Sequence, residues 1–325
     1  MIKAGIIGGT GYTAGELIRL LINHPETEIA FVYSTSRADD AVAAVHQDLL
    51  GETELVFSLE ISQDIDVLFL CTGHGNSSKF LTEHHIDTDI KIIDLSRDFR
   101  LSAESTFDHR DFIYGLPELQ KDDISEGENI ANPGCFATAI QLALLPLAHV
   151  SELQYDVHIH GVTGSTGAGS SLSDTTHFSW RNNNVSVYKA LNHQHITEIK
   201  QSLTQLSYGF DSELHFVPMR GNFTRGIFIS AYTESDLSLE NAQSLFKEFY
   251  ADAPFVHLST EPLHLKQVVN TNKCLLHLQK ENGQLLVTSI IDNLLKGASG
   301  QALQNMNLMF DLDETVGLQL KPIHF

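Results

Sequence analysis

Long apolar runs are missing. No stretch of the 325 residues approaches the ~20 consecutive apolar residues that a membrane-spanning helix needs. Cysteine is scarce: Cys71, Cys135 and Cys274 are an odd number, widely separated and without a Cys-x-x-Cys pair. That excludes a disulfide framework and a zinc knuckle, and suits a reducing compartment. Basic residues are few, 20 Lys+Arg against 41 Asp+Glu, for a formal net charge of −21. A field of that sign repels nucleic acid and anionic membranes, which require basic stripes to displace counterions. It leaves room for small anions held by backbone N–H groups at a helix start and by one or two placed arginines. The opening MIKAGIIGG lacks the basic region, apolar core and cleavage site of an export signal, so a cytoplasmic location is expected. What remains is 42 % hydrophobic and 19 % charged, the profile of a globular chain long enough for two domains.

Short apolar runs at 3–8, 28–33, 66–71 and 91–95 read as strands, the first followed by a helix that ends before Pro25. Apolar strands alternating with helices predict an α/β fold with a Rossmann-type, doubly wound parallel sheet. From about residue 155 the pattern changes. Segments 155–160, 213–217, 226–231, 273–278 and 284–290 alternate or run apolar with few helices between them, which predicts a second, α+β domain on a mostly antiparallel sheet. Residues 299–310 are helical again. The expected division is a dinucleotide-binding domain over 1–134, with 298–325 packing back on it, and a second domain over 135–297.

Four segments carry chemistry. Gly8-Gly9-Thr10-Gly11-Tyr12-Thr13-Ala14 has the form G-x-x-G-x-x-A between a strand and a helix, where backbone amides can reach a pyrophosphate. The following strand ends in Ser34-Thr35-Ser36-Arg37, with no carboxylate before Asp39. Hydroxyls and a guanidinium suit a 2′-phosphate, so NADP is expected over NAD; an ordinary polar loop is the competing reading. In Asn132-Pro133-Gly134-Cys135 a turn precedes a strong helix former at 137–147, which puts Cys135 at a helix start, where a thiolate is stabilised and can attack an acyl carbon. Cys71 and Cys274 lie inside apolar strands and read as small core residues. A second glycine-rich stretch, 163–171, can offer amides to an anion. His193 and His195 precede a further helix; either can serve as acid–base partner of the thiolate, and one is equally well a hydrogen-bonded structural histidine. Two imidazoles without a third ligand do not make a metal site, and no metal is expected.

Taken together, GGTGYTAGEL (8–17), HGNSS (74–78), DLSRDFRL (94–101), YGLPEL (114–119), NPGCFATAIQLALLPL (132–147), HQHITEI (193–199), TRGI (224–227) and DNLLKGASGQALQNMNLM (292–309) resemble the N-acetyl-γ-glutamyl-phosphate reductases, relatives of aspartate-semialdehyde dehydrogenase. The resemblance implies an NADP-binding Rossmann domain and a catalytic, oligomerising second domain, in a homodimer or homotetramer. It also implies a Cys135 nucleophile, His195 or His193 as acid–base residue, and reductive dephosphorylation of an N-acyl-γ-glutamyl phosphate to the semialdehyde and phosphate. Asn132 and the Cys135 N–H are the expected oxyanion donors. Around the cofactor the expected contacts are Gly8, Thr10, Gly11, Tyr12, Thr13, Ser34, Ser36, Arg37, Gly73, Gly167, Ala168 and Asn293; around the substrate they are Arg97, Arg100, Ser165 and Arg220. The chain also departs from the family. Ala14-Gly15 replaces Gly-Ala, Arg97 replaces Ala, the loop ends Gly167-Ala168-Gly169-Ser170 where Ser-Gly-Ala-Gly-Arg is usual, and FVPMRGNFTRGI (216–227) has Met219 for the usual His with Arg220 and Asn222 added. An extra cation at Arg97 or Arg220 suits a second carboxylate, so N-succinyl stands beside N-acetyl. The other readings are an aspartate-semialdehyde dehydrogenase-type reductase and an inactive NADP-binding regulator. A cysteine hydrolase leaves 8–14 and 34–37 unexplained.

Overall fold

A computed structural model describes residues 1–324, and the chain divides into two compact units. The first comprises Met1–Gly134 with Ala298–Gln319; the second comprises Cys135–Gly297 with residues 320–324. Among the described residues no helix is long and apolar enough to cross a membrane.

The first unit is built on eight strands: β1 (Ile2–Ile7), β2 (Thr27–Tyr33), β3 (Phe57–Ser58), β4 (Val67–Leu70), β5 (Lys91–Asp94), β6 (Thr106–Phe107), β7 (Arg110–Tyr114) and β8 (Asn129–Ala131). They are ordered β3-β2-β1-β4-β5-β8-β7-β6, and every pair is parallel except β6 with β7. All four residues of β4 are 0 % exposed, as a parallel strand covered on both faces requires. The order reverses between β1 and β4. Ligands of doubly wound sheets bind at such a switch point, beyond the carboxyl ends of the strands. The returning helix Gly300–Met309 is buried along its whole length and packs on the helices Tyr12–Leu21 and Pro117–Glu126. Two of its buried amides bond within the unit: Asn305 donates to the Gly115 carbonyl (2.9 Å) and Gln304 to Glu314 (2.7 Å).

The second unit carries seven strands, β9 (Val157–Thr163), β10 (Ser186–Val187), β11 (Leu214–Arg220), β12 (Ile227–Glu234), β13 (Val256–Leu258), β14 (Cys274–Glu281) and β15 (Gln284–Ile291). They are ordered β10-β11-β9-β12-β15-β14-β13, and four of the six pairings are antiparallel. The expected mostly antiparallel sheet is therefore found, with two short edge strands added. Helices Cys135–His149 and Leu239–Phe249 pack on one face, and His195–Leu206 packs on Cys135–His149. Along β9, β11 and β12 every second residue points away from these helices and stays partly exposed. There His158 stacks on His215 (5.0 Å) and on Tyr232 (5.2 Å).

The helix Cys135–His149 forms the interior of this unit, with residues 136–148 all buried. It continues through Pro146, which has no N–H to give the Leu142 carbonyl one turn back. The Tyr250 hydroxyl takes over that bond at 2.7 Å, so the proline is tolerated one turn before the helix ends.

Candidate functional site

In the first unit the glycine loop joins β1 to the helix Tyr12–Leu21. Gly8 adopts φ +79°, and a Cβ there would stand 2.6 Å from the Cys71 carbonyl oxygen at the end of β4, so only glycine fits this turn. Gly9 donates its N–H to Tyr33 O (3.0 Å) and Gly11 to Gly8 O (3.3 Å). The helix that follows has no acidic residue in its first turn, so its positive end faces the loop uncompensated. Thr10 and Thr13 are partly exposed and Tyr12 is exposed beside it; the Thr13 carbonyl accepts the Ser299 hydroxyl at 2.7 Å. His46, which sequence reasoning missed, donates from Nε2 to the Gly9 carbonyl (2.7 Å). Gly15 makes room for this ring: a Cβ at 15 would lie 2.5 Å from His46 Nδ1. The exchange of Ala-Gly for Gly-Ala thus has a local partner that no motif contains. At the end of β2, Ser34 is buried with its hydroxyl 3.4 Å from that of Ser36, while Arg37 is exposed and makes a long contact to Asp40 (3.4 Å). A glycine cradle, an uncompensated helix start and an unencumbered arginine at the β2 end together fit a dinucleotide carrying a 2′-phosphate.

Gly73 is exposed in the turn before the helix Ser77–Glu83. That helix start is already occupied: the Asp98 carboxylate accepts the N–H groups of Gly75 (2.6 Å), Ser77 (3.1 Å) and Ser78 (3.1 Å). Burial opposes ionisation of Asp98, but these amide donors outweigh it and hold its pKa below the ordinary range. Asp94 is fully buried, and burial pushes its pKa up to about 6 against the pull of the Ser77 and Ser96 hydroxyls. Burial likewise pushes the Cys71 thiol up to about 12, which makes it an inert core residue. Arg100 is buried and turned onto backbone, donating from Nε to Asn132 O (2.8 Å) and from Nη2 to Leu95 O (3.1 Å); Arg97 is exposed. The Asn132 side chain donates to Ala298 O (3.1 Å) and accepts from Asn305 (3.1 Å).

In the second unit Cys135 is half-buried at the first residue of its helix. Gly297 passes so close that a Cβ on it would lie 2.7 Å from Cys135 Cβ. That turn is fixed by Asp292, whose buried carboxylate accepts the N–H of Leu294 (2.8 Å), Leu295 (3.2 Å) and Asn270 (2.7 Å) and pairs with Arg225 (3.0 Å). Asn293 bridges, accepting from Gly226 N (2.7 Å) and donating to Thr166 Oγ1 (3.0 Å). In the glycine-rich loop the amides of Ser165 and Thr166 donate to Phe223 O and Thr224 O, and that of Gly167 to Gly164 O. Gly167 is exposed, and Ser165 and Ala168 are partly so.

The two histidines separate here. His193 is buried among the rings of Phe136 (5.8 Å), Tyr188 (5.9 Å) and Phe216 (5.4 Å), and its Nδ1 accepts the His195 backbone N–H at 3.2 Å. Burial, reinforced by Lys189, drops its pKa to about 4. It is neutral at physiological pH and its ring holds the start of the next helix. His195 is the first residue of that helix, its ring 4.6 Å from His193. Tyr188, absent from the sequence motifs, lies where its phenol senses both the Cys135 sulfur and the Arg220 guanidinium, whose Cζ is 4.8 Å from the ring. Burial, then the sulfur, pushes the Tyr188 pKa well up, so it stays a neutral donor.

Two family models match the chain, the semialdehyde dehydrogenase NAD binding domain over residues 3–127 and the semialdehyde dehydrogenase dimerisation domain over residues 135–293. Proteins named N-acetyl-gamma-glutamyl-phosphate reductase from Christiangramia forsetii, over 325 aligned residues, and Bacteroides thetaiotaomicron, over 326, are each 58 % identical to the chain, covering 100 % of both partners. Among solved structures, aspartate semialdehyde dehydrogenase II from Vibrio cholerae superposes with a TM-score of 0.75 at 13 % identity, over 96 % of this chain and 98 % of that one. The aspartate semialdehyde dehydrogenase of Francisella tularensis gives 0.69 at 14 %, over 95 % and 100 %. At these identities the likeness is one of fold.

Proposed function

The chain belongs to the N-acetyl-γ-glutamyl-phosphate reductase family, and from that premise we propose that it reduces an N-acyl-γ-glutamyl phosphate to the N-acyl-glutamate 5-semialdehyde with NADPH, the acyl group being acetyl or succinyl. The observation that carries the reading is a half-buried thiol at the first residue of a fifteen-residue helix, against which a second helix beginning at His195 packs. The helix dipole favours the thiolate. As the sulfur attacks the acyl-phosphate carbonyl, His195 takes the thiol proton. The Cys135 N–H, at the helix start, faces the developing oxyanion. The carbon–oxygen bond to phosphate breaks, phosphate leaves taking a solvent proton, and a thioester remains on Cys135. NADPH, when bound, supplies the hydride that reduces the thioester. The thiohemiacetal then collapses to the aldehyde, and His195 returns its proton to the departing sulfur. His193 keeps the His195 amide in place. Gly8, Thr10, Gly11, Tyr12 and Thr13 would hold the pyrophosphate, and Ser34, Ser36 and Arg37 the 2′-phosphate.

In this reading the first unit holds the cofactor and the second carries catalysis and self-association. The alternately exposed face of β9, β11 and β12 supports contact with a second copy, in a homodimer or homotetramer, and the enzyme works in the cytoplasm. The test is NADP reduction by N-acyl-glutamate semialdehyde and its dependence on phosphate. Cys135→Ser is expected to lower turnover by at least about 10³-fold while NADPH binding is retained. Activity above about one per cent of wild type would end the covalent route.

A further inference from the structure

The glycine loop between β1 and the helix Tyr12–Leu21 is backed by a side chain from further along the first unit. After β2 the chain runs through Ser34, Ser36 and Arg37 into the single turn Val42–Val45, and His46 closes that turn. The His46 backbone is fixed from both sides: its N–H donates to Val42 O (2.9 Å) and its carbonyl accepts the Leu49 N–H (3.0 Å). Val42 is buried, and its own N–H donates to Leu55 O (2.8 Å). The imidazole is thereby carried beneath the loop, where Nε2 donates to the Gly9 carbonyl at 2.7 Å and Nδ1 faces Gly15.

That bond decides which way one peptide unit faces. No peptide bond in the chain is cis, and in a trans peptide the C=O and the following N–H point in opposite directions. A Gly9 carbonyl drawn inward therefore turns the Thr10 N–H outward. The neighbouring amides are engaged within the unit, Gly9 on Tyr33 O and Gly11 on Gly8 O, whereas among the described residues the Thr10 N–H has no acceptor. Glycine at position 9 leaves the reverse orientation sterically open, since there is no Cβ to oppose a flip of the peptide plane. Reversed, the unit would present a partly negative carbonyl oxygen where a pyrophosphate needs a donor. Gly-Gly-Thr-Gly tolerates either orientation; the imidazole selects one.

We infer that His46 is a positioning residue for the dinucleotide: its imidazole holds the Gly9–Thr10 peptide with the amide outward, so that the Thr10 N–H donates to the pyrophosphate. The inference rests on the cofactor reading of the loop and adds to it a residue outside the glycine motif. His46 lies on the same excursion as Ser34, Ser36 and Arg37. One segment would then both meet the 2′-phosphate and set the loop that takes the pyrophosphate.

The test compares two ligands. NADPH is titrated by its own fluorescence; adenosine 2′-monophosphate, which has the 2′-phosphate but no pyrophosphate, is titrated by competition. His46→Leu keeps the bulk and loses the donor. It is expected to raise the NADPH dissociation constant about tenfold and to leave that of adenosine 2′-monophosphate within about twofold. His46→Gln, whose amide nitrogen can reach the same carbonyl, should return NADPH binding to within about threefold of wild type. Equal losses for both ligands, no loss for NADPH, or a glutamine variant as weak as the leucine one overturns the assignment. Wild type gives an independent check should His46→Leu fail to fold. Its Thr10 amide should exchange freely in heavy water without cofactor and at least about tenfold more slowly with saturating NADPH; protection in both states, or in neither, overturns the assignment too. A wild type that binds no NADPH refutes the cofactor reading together with this one, whereas normal NADPH binding by His46→Leu refutes this one alone.

Discussion

The contact between Gly15 and His46 supports a prediction in which a substitution changes sign. Alanine is worth about 0.5–1 kcal/mol more than glycine inside a helix, so Gly15→Ala in isolation should stabilise. In this protein the new Cβ would sit 2.5 Å from His46 Nδ1 and 2.8 Å from Cε1. The ring is buried, with Phe57 6.4 Å away and its Nε2 at the Gly9 carbonyl, so it cannot swing aside freely. Overpacking of this kind costs about 1–3 kcal/mol, and a lost hydrogen bond about 1 kcal/mol more. The net expectation is destabilisation by about 1–3 kcal/mol, a fall of several degrees in the melting of the first unit. With His46→Ala already in place the obstruction is gone, and Gly15→Ala should stabilise by about 0.5–1 kcal/mol relative to that background. Denaturant unfolding of the four proteins closes the cycle. NADPH affinity gives a second readout, because the Gly9 carbonyl belongs to the cofactor loop. The same sign for Gly15→Ala in both backgrounds would refute the argument.

His195→Asn should lower kcat by about 10²-fold or more, whereas His193→Asn should cost less than about tenfold; the larger loss at 193 would reverse the assignment. Arg37→Ala should raise KM for NADPH at least about tenfold and leave NADH within about twofold, and equal weakening of both removes the 2′-phosphate assignment. Asp94 and His193 titrate in opposite senses. The Asp94 pKa is raised to about 6 in the folded chain, so its contribution to stability is full below about pH 4 and is lost as pH rises to about 6. The His193 pKa is lowered to about 4, so its contribution is present above about pH 6.5 and is lost on acidification. Asp94→Asn should therefore gain stability relative to wild type between pH 4 and 6, by up to about 3 kcal/mol. A pH-independent difference between the two melting curves would show that Asp94 is ionised throughout.

Much of this is legible in the sequence alone. β1, β2, β4 and β5 are buried parallel strands, and burial on both faces writes an uninterrupted apolar run. Cys135 stood out because a Pro-Gly turn before a helix former is a poor place for a core residue. Its helix nevertheless runs from 135 to 149, beyond the 137–147 expected, because what sustains it past Pro146 is the hydroxyl of Tyr250, more than a hundred positions away. β3, β6, β10 and β13 have two or three residues each, too few for any periodicity to register. Tyr188 falls in 171–191, a stretch with no motif, and its place between the His193 ring and the Arg220 guanidinium is a property of three-dimensional neighbourhood. Asp292 and Asn293 were visible as letters of a pattern, but what they hold together, the turns at 294–297 and 224–226, is not.

The Cys135 sulfur tips a rod that is itself the interior of its unit. Its backbone has no private hinge: the helix start cannot shift without the layer packed around residues 136–148. Labelling of Cys135 by an alkylating reagent, followed as temperature rises, should accordingly change slope only where that layer dissolves, and loss of catalysis on heating should coincide with loss of fold instead of preceding it.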